Sequence, residues 1–490
     1  MKMLFVKLQT GINNFPLGCD KRHRRASNHF STINVIEPMD RLKRLFLFIA
    51  IFELIPICTY SQNAERSDSV HYFTLEQCIR YALQNQPALN QSMLNIDVAK
   101  TTNAINLSGW LPQINLSGNL IHYYQLPTTL TPNPVAPGGP PIPTRTGIAN
   151  TAIPGLSASQ TIFEPQLLYA AKSAPLLTKH AEQITDSVRI FIVSSVSKSF
   201  YNLLLTLEEI DVLKEDTARL GRNILDAYNQ FVGGIVDETD YEQAVITLNN
   251  SKAQLKQQTE SVAPEYAALK QLIGCPPEQN FNVMFDTVQM MQEIYSDTTK
   301  QLQYENRIEY QQLQTVKELQ HQQTVFAELS FLPTVSVFYD YVYEYESPTS
   351  SNLFRTAYPY SYFGVTLNFP IFTGFARIEN IQRSKLQEQI VNWGEVILKS
   401  QIYTEYRSAL ANYKSNLYNL HLLDDNKSRA QNVYNIVSLQ YNQGVVAYLN
   451  LLVAESNLIT AEIGYIDALF KLLSSKIDLE KAMGEIPSHY

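Results

Sequence analysis

The sequence predicts a mixed α/β membrane protein, with long α-helical coiled-coil hairpins running into strands of a transmembrane β-barrel. Three observations carry this reading. The chain is a tandem duplication, it contains two helical runs far longer than globular helices, and each copy holds two segments alternating with period two.

The duplication shows in punctuation that recurs in register. FVGGIVDETDYEQAV at 231–245 answers YNQGVVAYLNLLVAE at 441–455, matching Phe231 to Tyr441, Gly234 to Gly444, Val236 to Val446 and Ala244 to Ala454. Upstream, Ile162-Phe163 answers Ile371-Phe372, and downstream Ile273-Gly274 answers Met483-Gly484. Trp110-Leu111-Pro112 answers Phe331-Leu332-Pro333 at a larger offset, so the copies differ in length mainly within 113–161. The first copy spans 72–280 and the second 295–490.

Each copy carries a coiled-coil seam before its glycine. Ile210, Leu213, Leu220, Ile224, Ala227 and Phe231 match Leu420, Leu423, Ala430, Tyr434, Val437 and Tyr441, in steps of three and four residues. Thr217 and Lys427 fill the one weak position. The runs Pro165–Asn229 and Gly374–Gln440 would each reach roughly 100 Å as unbroken helices. Two shorter runs, 75–109 and 239–273, would lie end to end beside one of them. Thr74 to Gln77 and Thr239 to Glu242 have capping-box form, and Pro264 is expected to bend its helix. The glycines therefore mark hairpin tips, at 231–240 and 441–450, at the far end of a rod.

At the other end two β-hairpins are expected, 113–163 and 333–372. Val335, Val337, Tyr339, Tyr341, Tyr343 and Tyr345 share one face of a strand, with Ser336, Asp340 and Glu344 on the other. Phe363, Val365, Leu367 and Phe369 alternate with Tyr362, Gly364, Thr366 and Asn368. Such strands, apolar on one side and small or polar on the other, suit a barrel wall in contact with outer-membrane lipid, and the tyrosines suit an interfacial girdle. A soluble sheet with one wet face alternates in the same way; the export signal and the aromatic load favour the barrel. Four strands cannot close, and open edges are not tolerated in lipid, so the chain must oligomerise with a strand total that is a multiple of four. The Pro-rich loop 125–150 and the loop 346–359 are expected outside.

Export is signalled by MDRLKRLFLFIAIFELIPICTYSQ at 39–62, a basic start followed by an apolar core from Leu45 to Ile57. Residues 39–61 are read as a signal peptide and 1–38 as an upstream extension created by an over-extended start, with translation beginning at Met39. The rival reading of KRHRR at 21–25 as a nucleic-acid patch has only five residues behind it. Bulky Ile57 before Cys58 speaks against lipidation. Cleavage after 61 would leave 29 Lys/Arg against 42 Asp/Glu, a formal charge of −13 that argues against nucleic acid as a partner. Cys78 and Cys275 remain, near the start and end of one copy, as a pair whose spacing the sequence leaves open.

Nothing points to catalysis, a cofactor or a metal. The histidines are scattered, with no HExxH, GxSxG or P-loop arrangement. Paired carboxylates such as Glu208-Glu209 and Asp424-Asp425 are read as solvated helix faces.

The chain resembles the outer-membrane efflux proteins of the TolC type over nearly all of 72–490. FTLEQCIRYALQNQPAL, WLPQINLSG, FLPTVSVF, LNFPIFTGFARIENI and both glycine tips carry the resemblance in order. It implies a homotrimer whose twelve strands form the barrel and whose helices form a periplasmic tunnel. It also implies tips that close into an iris and dock a periplasmic adaptor, which links the duct to an inner-membrane pump of RND or ABC type. Carried onto this sequence, the docking tips are Phe231, Gly234, Ile235, Val236, Tyr441, Gly444, Val445 and Val446. Two aspartates that line the entrance in the best-known member fall here on Asn450 and Val453. An acidic ring from that hairpin is therefore in doubt, leaving Asp240, with Tyr448 and Asn450, as the entrance candidates. A type I protein secretion duct and a non-channel coiled-coil surface protein are the alternative readings.

The signal reading has a direct check. Intact mass of membrane-extracted protein is expected to give a chain beginning at or near Gln62 without lipid; a chain beginning at Cys58 with an acyl mass would overturn it.

Overall fold

The computed structural model describes residues 71–135, 138–234, 237–284, 290 and 294–487. The expected extension and signal peptide lie outside them. In chain order the elements are β1 (His71–Phe73), α1 (Leu75–Asn85), α2 (Pro87–Leu107), β2 (Gln113–His122), β3 (Thr128–Thr131), β4 (Ile142–Arg145) and β5 (Asn150–Phe163). They continue as α3 (Pro165–Val232), α4 (Glu238–Ile273), β6 (Phe281–Val283), α5 (Ile308–Leu329), β7 (Thr334–Ser347), β8 (Ala357–Asn368), α6 (Ala376–Asn442) and α7 (Tyr448–Met483).

The long helices form as expected. α3 has 68 residues and α6 has 67, so each reaches roughly 100 Å at 1.5 Å per residue. One stretch of α3 is apolar enough by composition to cross a membrane, but more than half of it is buried against neighbouring helices, which marks it as core. The seam residues are buried or half-buried throughout, and Lys427 fits its place by laying its ammonium over the Tyr465 ring at 4.6 Å.

Three local expectations are corrected. The run 75–109 is two helices, because Pro87 occupies the first turn of α2 and holds Gln86 extended. The capping box expected at Thr239 does not form: α4 begins at Glu238 after an extended Asp237, whose side chain makes no capping bond. The loop 125–150 is partly ordered, with β3 and β4 paired as a small hairpin. At Thr74, by contrast, the reciprocal bonds with Gln77 are present.

β2, β5, β7 and β8 form one antiparallel sheet in that order. The register keeps side chains sorted across all four strands. Ile114 pairs with Ala158, Leu116 with Leu156, Tyr339 with Phe363, Val337 with Val365 and Val335 with Leu367 on one face. On the other, Asn115 pairs with Ser157, Ser336 with Thr366 and Asp340 with Tyr362. Leu116, Phe363 and Leu367 are more than three-fifths exposed in the single chain, as a lipid-facing wall requires. Inward-facing Phe338 lies across Gly364, where a Cβ would come within 2.3 Å of the ring.

The main core sits where the helix ends gather midway along the rod. Leu203, Leu204, Ile273, Tyr413, Leu472 and Leu479 belong to it and are almost completely buried. β1 pairs in parallel with β6, fastening the start of the first copy to its end. Arg307, 3% exposed, joins three elements by bonding Glu309, Glu405 and the carbonyl of Ala482. Cys78 and Cys275 are both buried in this core as free thiols, and burial pushes the Cys78 thiol up to about 12. The open pairing question therefore resolves to two reduced cysteines here.

Two glycines clamp this core in equivalent ways. Gly274 and Gly484 end α4 and α7 at φ +73°, each closing a Schellman cap. A Cβ at Gly274 would lie 2.7 Å from the Asn85 carbonyl oxygen, and one at Gly484 2.6 Å from that of Asn306. Gly274→Ala and Gly484→Ala are each expected to cost about 2 kcal/mol or more, from left-handed strain plus a backbone clash. Gly221→Ala on α3, where nothing lies within 4 Å, should be neutral or slightly stabilising. Thermal denaturation of the purified protein checks all three.

Candidate functional site at the hairpin tips

The end of the rod away from the sheet is built by two helix reversals. α6 ends at Asn442, and Gly444 takes φ +73° so that its N–H donates to the Tyr441 carbonyl while that of Val445 donates to Gln440. α3 ends at Val232, and Gly234 takes φ +70° with its N–H donating to the Phe231 carbonyl. No atom lies within 4 Å of the position a Cβ would occupy at either glycine. Backbone conformation, not crowding within the chain, is what selects glycine here.

The expected tip residues divide into an inner and an outer set. Tyr441 is 9% exposed and Tyr448 1%, and their rings meet at 5.7 Å and 61° inside a small core with Leu220, Ala227, Ala244, Leu451 and Leu452. In this chain Tyr441 and Tyr448, read from the sequence as a docking and an entrance residue, are both packed inside the tip core. Both rings are apolar in the seam sense, and the helix period turns them inward. Burial raises both phenols, and a hydrogen bond with Gln230 offsets part of this at Tyr441.

The other positions lie outward. Gly234, Gly444, Val445 and Asn450 are exposed, Val446 is half-buried against the tip core, and Asp240 is half-buried. Phe231 is half-buried and stacks on Tyr241 at 6.3 Å and 9°. Ile235 and Val236 lie outside the described residues. Sequence reasoning missed three apolar residues that extend the exposed surface beyond Val445, itself 67% exposed: Val232 is 68% exposed, and Leu449 and Val453 just over half. They fall off the seam, and that alone could have flagged them.

It also missed the charged interior just behind the tips. Asp216 and Glu455 are completely buried, and Arg219 lies between them. Glu208 and Glu209, read as solvated, are half-buried: desolvation raises both carboxyls, and Glu209 accepts a 2.6 Å bond from Gln258 of α4. The reading holds for Asp424 and Asp425, which are exposed. Among the described residues no group of His, Cys, Asp and Glu could hold a metal ion.

Comparison with known proteins places this architecture. The chain is 22% identical over 425 residues to the toluene efflux pump outer membrane protein TtgC and to the antibiotic efflux pump outer membrane protein ArpC, both of Pseudomonas putida. Each alignment covers 84% of this chain and 83% of the relative. Among solved structures, the outer membrane protein VceC of Vibrio cholerae superposes with a TM-score of 0.66 at 17% identity, covering 84% of this chain and 96% of that one. The CmeC outer membrane channel of Campylobacter jejuni gives 0.66 at 18%, covering 85% and 87%. The family model for outer membrane efflux proteins matches residues 78–275 and 301–485. This chain therefore belongs to the outer membrane efflux protein family, as an outer-membrane efflux channel whose helices form a periplasmic tunnel and whose four strands are one chain's share of a trimeric barrel.

Proposed function

We propose that the channel is a passive exit duct. Its tips dock a periplasmic adaptor, through which an inner-membrane pump of RND or ABC type delivers cargo. The observation that carries the docking reading is the exposed apolar surface of Val232, Val445, Leu449 and Val453 at the tips, next to two glycines with open space around them. These residues lie at the end farthest from the lipid wall and are not part of the tip core. The P. putida relatives serve toluene and antibiotic efflux pumps, which supports small organic molecules as cargo and not a secreted polypeptide. No step requires chemistry of the duct itself. The pump would supply the energy, and the duct a continuous aqueous path.

The inner face of the barrel wall suggests how that path is charged. Asp340, Glu344 and Glu346 share the face opposite the apolar one, and the four long strands contain no Lys or Arg. Purified protein in a planar bilayer is expected to give single channels with a reversal potential favouring cations. Replacing Glu344 and Glu346 with Gln should reduce that preference. Failure to form channels would remove the duct reading.

Docking is tested at the second tip. Gly444→Arg costs about 1 kcal/mol of left-handed strain, but its Cβ meets no neighbouring atom within its own chain. Trimer abundance in the outer membrane is expected to stay at the wild-type level. Sensitivity of cells to a transported toxic compound should rise toward that of a deletion strain, because a side chain now blocks the adaptor's seat. Normal export would show that this tip is not a docking surface; loss of the trimer would make the glycine structural.

A further inference from the structure

Just behind the tip core, one arginine is crowded by carboxylates from two hairpins. Arg219 on α3 donates to Glu215 at 3.2 Å and lies 3.7 Å from Asp216 of the same helix. Across the hairpin boundary it is 3.4 Å from Glu455 and 3.9 Å from Glu462, both on α7. Tyr434 on α6 sits under the guanidinium at 5.8 Å. Ser251 on α4 donates to Asp216 at 2.5 Å, and Asn223 on α3 donates to Glu455 at 2.7 Å. All four helices of the two hairpins thus meet at one charge cluster. Glu455 is seven residues into α7, roughly 10 Å along that helix from its start at the tip.

The cluster is poorly satisfied. Asp216 and Glu455 are completely buried, and the oxygen each keeps beyond its bond to Ser251 or Asn223 meets Arg219 only across a long ion-pair contact. Two buried carboxylates compete for one guanidinium through contacts too long to repay their desolvation. Lys427 and Arg222 are the further cations near it, acting on Glu462 and Tyr434 and not on Glu455. Tyr448, packed against the same cluster from α7, adds a neutral phenol. The duplication does not demand this arrangement: the positions equivalent to Asp216 and Glu455 in the other copy are Asn426 and Val245.

We propose that Glu455, Asp216 and Arg219 form a pH-sensitive latch between the two helical hairpins. Protonated Glu455 lets the hairpins dock at the entrance, and ionised Glu455 forces them apart and widens it. The inference rests on the tips being the duct's entrance. Glu455 is the group that titrates: burial, and then the Asp216 charge, push its carboxyl up to about 7, against 4.5 for a glutamate in water. Because the docked state raises this value, the stabilisation of docking is fully present below about 4.5. It is lost as pH rises through about 7. Between those values each unit of pH shifts the docked-to-open ratio by up to about tenfold.

The experiment is conductance of the purified full-length channel in a planar bilayer across pH 5.5 to 8.5. Wild-type conductance is expected to rise with pH. Glu455→Gln, a permanent stand-in for the protonated form, should hold the low level throughout. Asp216→Asn removes the competing charge and should move the midpoint to lower pH, a shift that a merely structural residue would not produce. Asp424→Asn, on the exposed face of α6, should leave the profile unchanged. A wild-type conductance independent of pH overturns the latch, as does a pH step that survives Glu455→Gln or a midpoint unmoved by Asp216→Asn. Absence of any channel at every pH refutes the duct reading itself, and the latch with it.

Discussion

The constraint on which the architecture turns is the open edge of a four-stranded sheet in lipid. β2 and β8 flank the sheet, and each presents a row of backbone N–H and C=O groups with no strand partner among the described residues. In hydrocarbon every such group costs several kcal/mol, so the edges have to be paired by further copies until the wall closes. That closure then dictates the helices. β5 passes through Glu164 directly into α3, and β8 reaches α6 after a short turn containing Gly374 and Phe375, both at positive φ. The tunnel therefore inherits its position from the barrel.

Duplication lets one solution serve twice. The long helices match in length at 68 and 67 residues, the returning helices at 36 each. Gly274 and Gly484 meet the carbonyls of Asn85 and Asn306 at almost the same distance. Where the copies diverge, the divergence is local: β3–β4 decorate the first hairpin, where the second has a short 3-10 turn at Ser350–Arg355. Insertions of this kind fall where the backbone can be paired by itself or by water, outside the repeated framework.

Much of this was legible in the sequence because it depends on periods and punctuation. A step of three or four residues names the seam, a step of two names the wall, and a glycine between long runs names a reversal. The misreadings share a physical origin. The break at Gln86 was obscured because the apolar period continues across Pro87, although the proline alone excludes an unbroken helix. Tyr441, read as a seam residue, was also assigned to docking because it flanks a turn, and Tyr448 to the entrance; packing within the tip core carries both rings inside. Glu209, Asp216 and Glu455 have ordinary helical neighbours in sequence. Their burial comes from α4 and from contact between α3 and α7, residues more than two hundred positions apart for the last pair. No local pattern encodes which face of a four-helix rod a distant helix will cover.

The same contrast bears on where the molecule can move. The central core gathers helices from both copies, the β1–β6 pair and the buried Arg307 network into one large, well-satisfied cluster. The tip core is small, it buries the Tyr448 hydroxyl without a partner among the described residues, and the charges behind it meet across long contacts. Opening costs least where fewest apolar contacts are lost and where buried polar groups gain water on exposure. Separating the two hairpins is therefore expected to cost less at the tips than in the middle of the rod. A stiff wall at one end and an under-satisfied joint at the other is what a duct needs if it is to open without releasing its hold on the membrane.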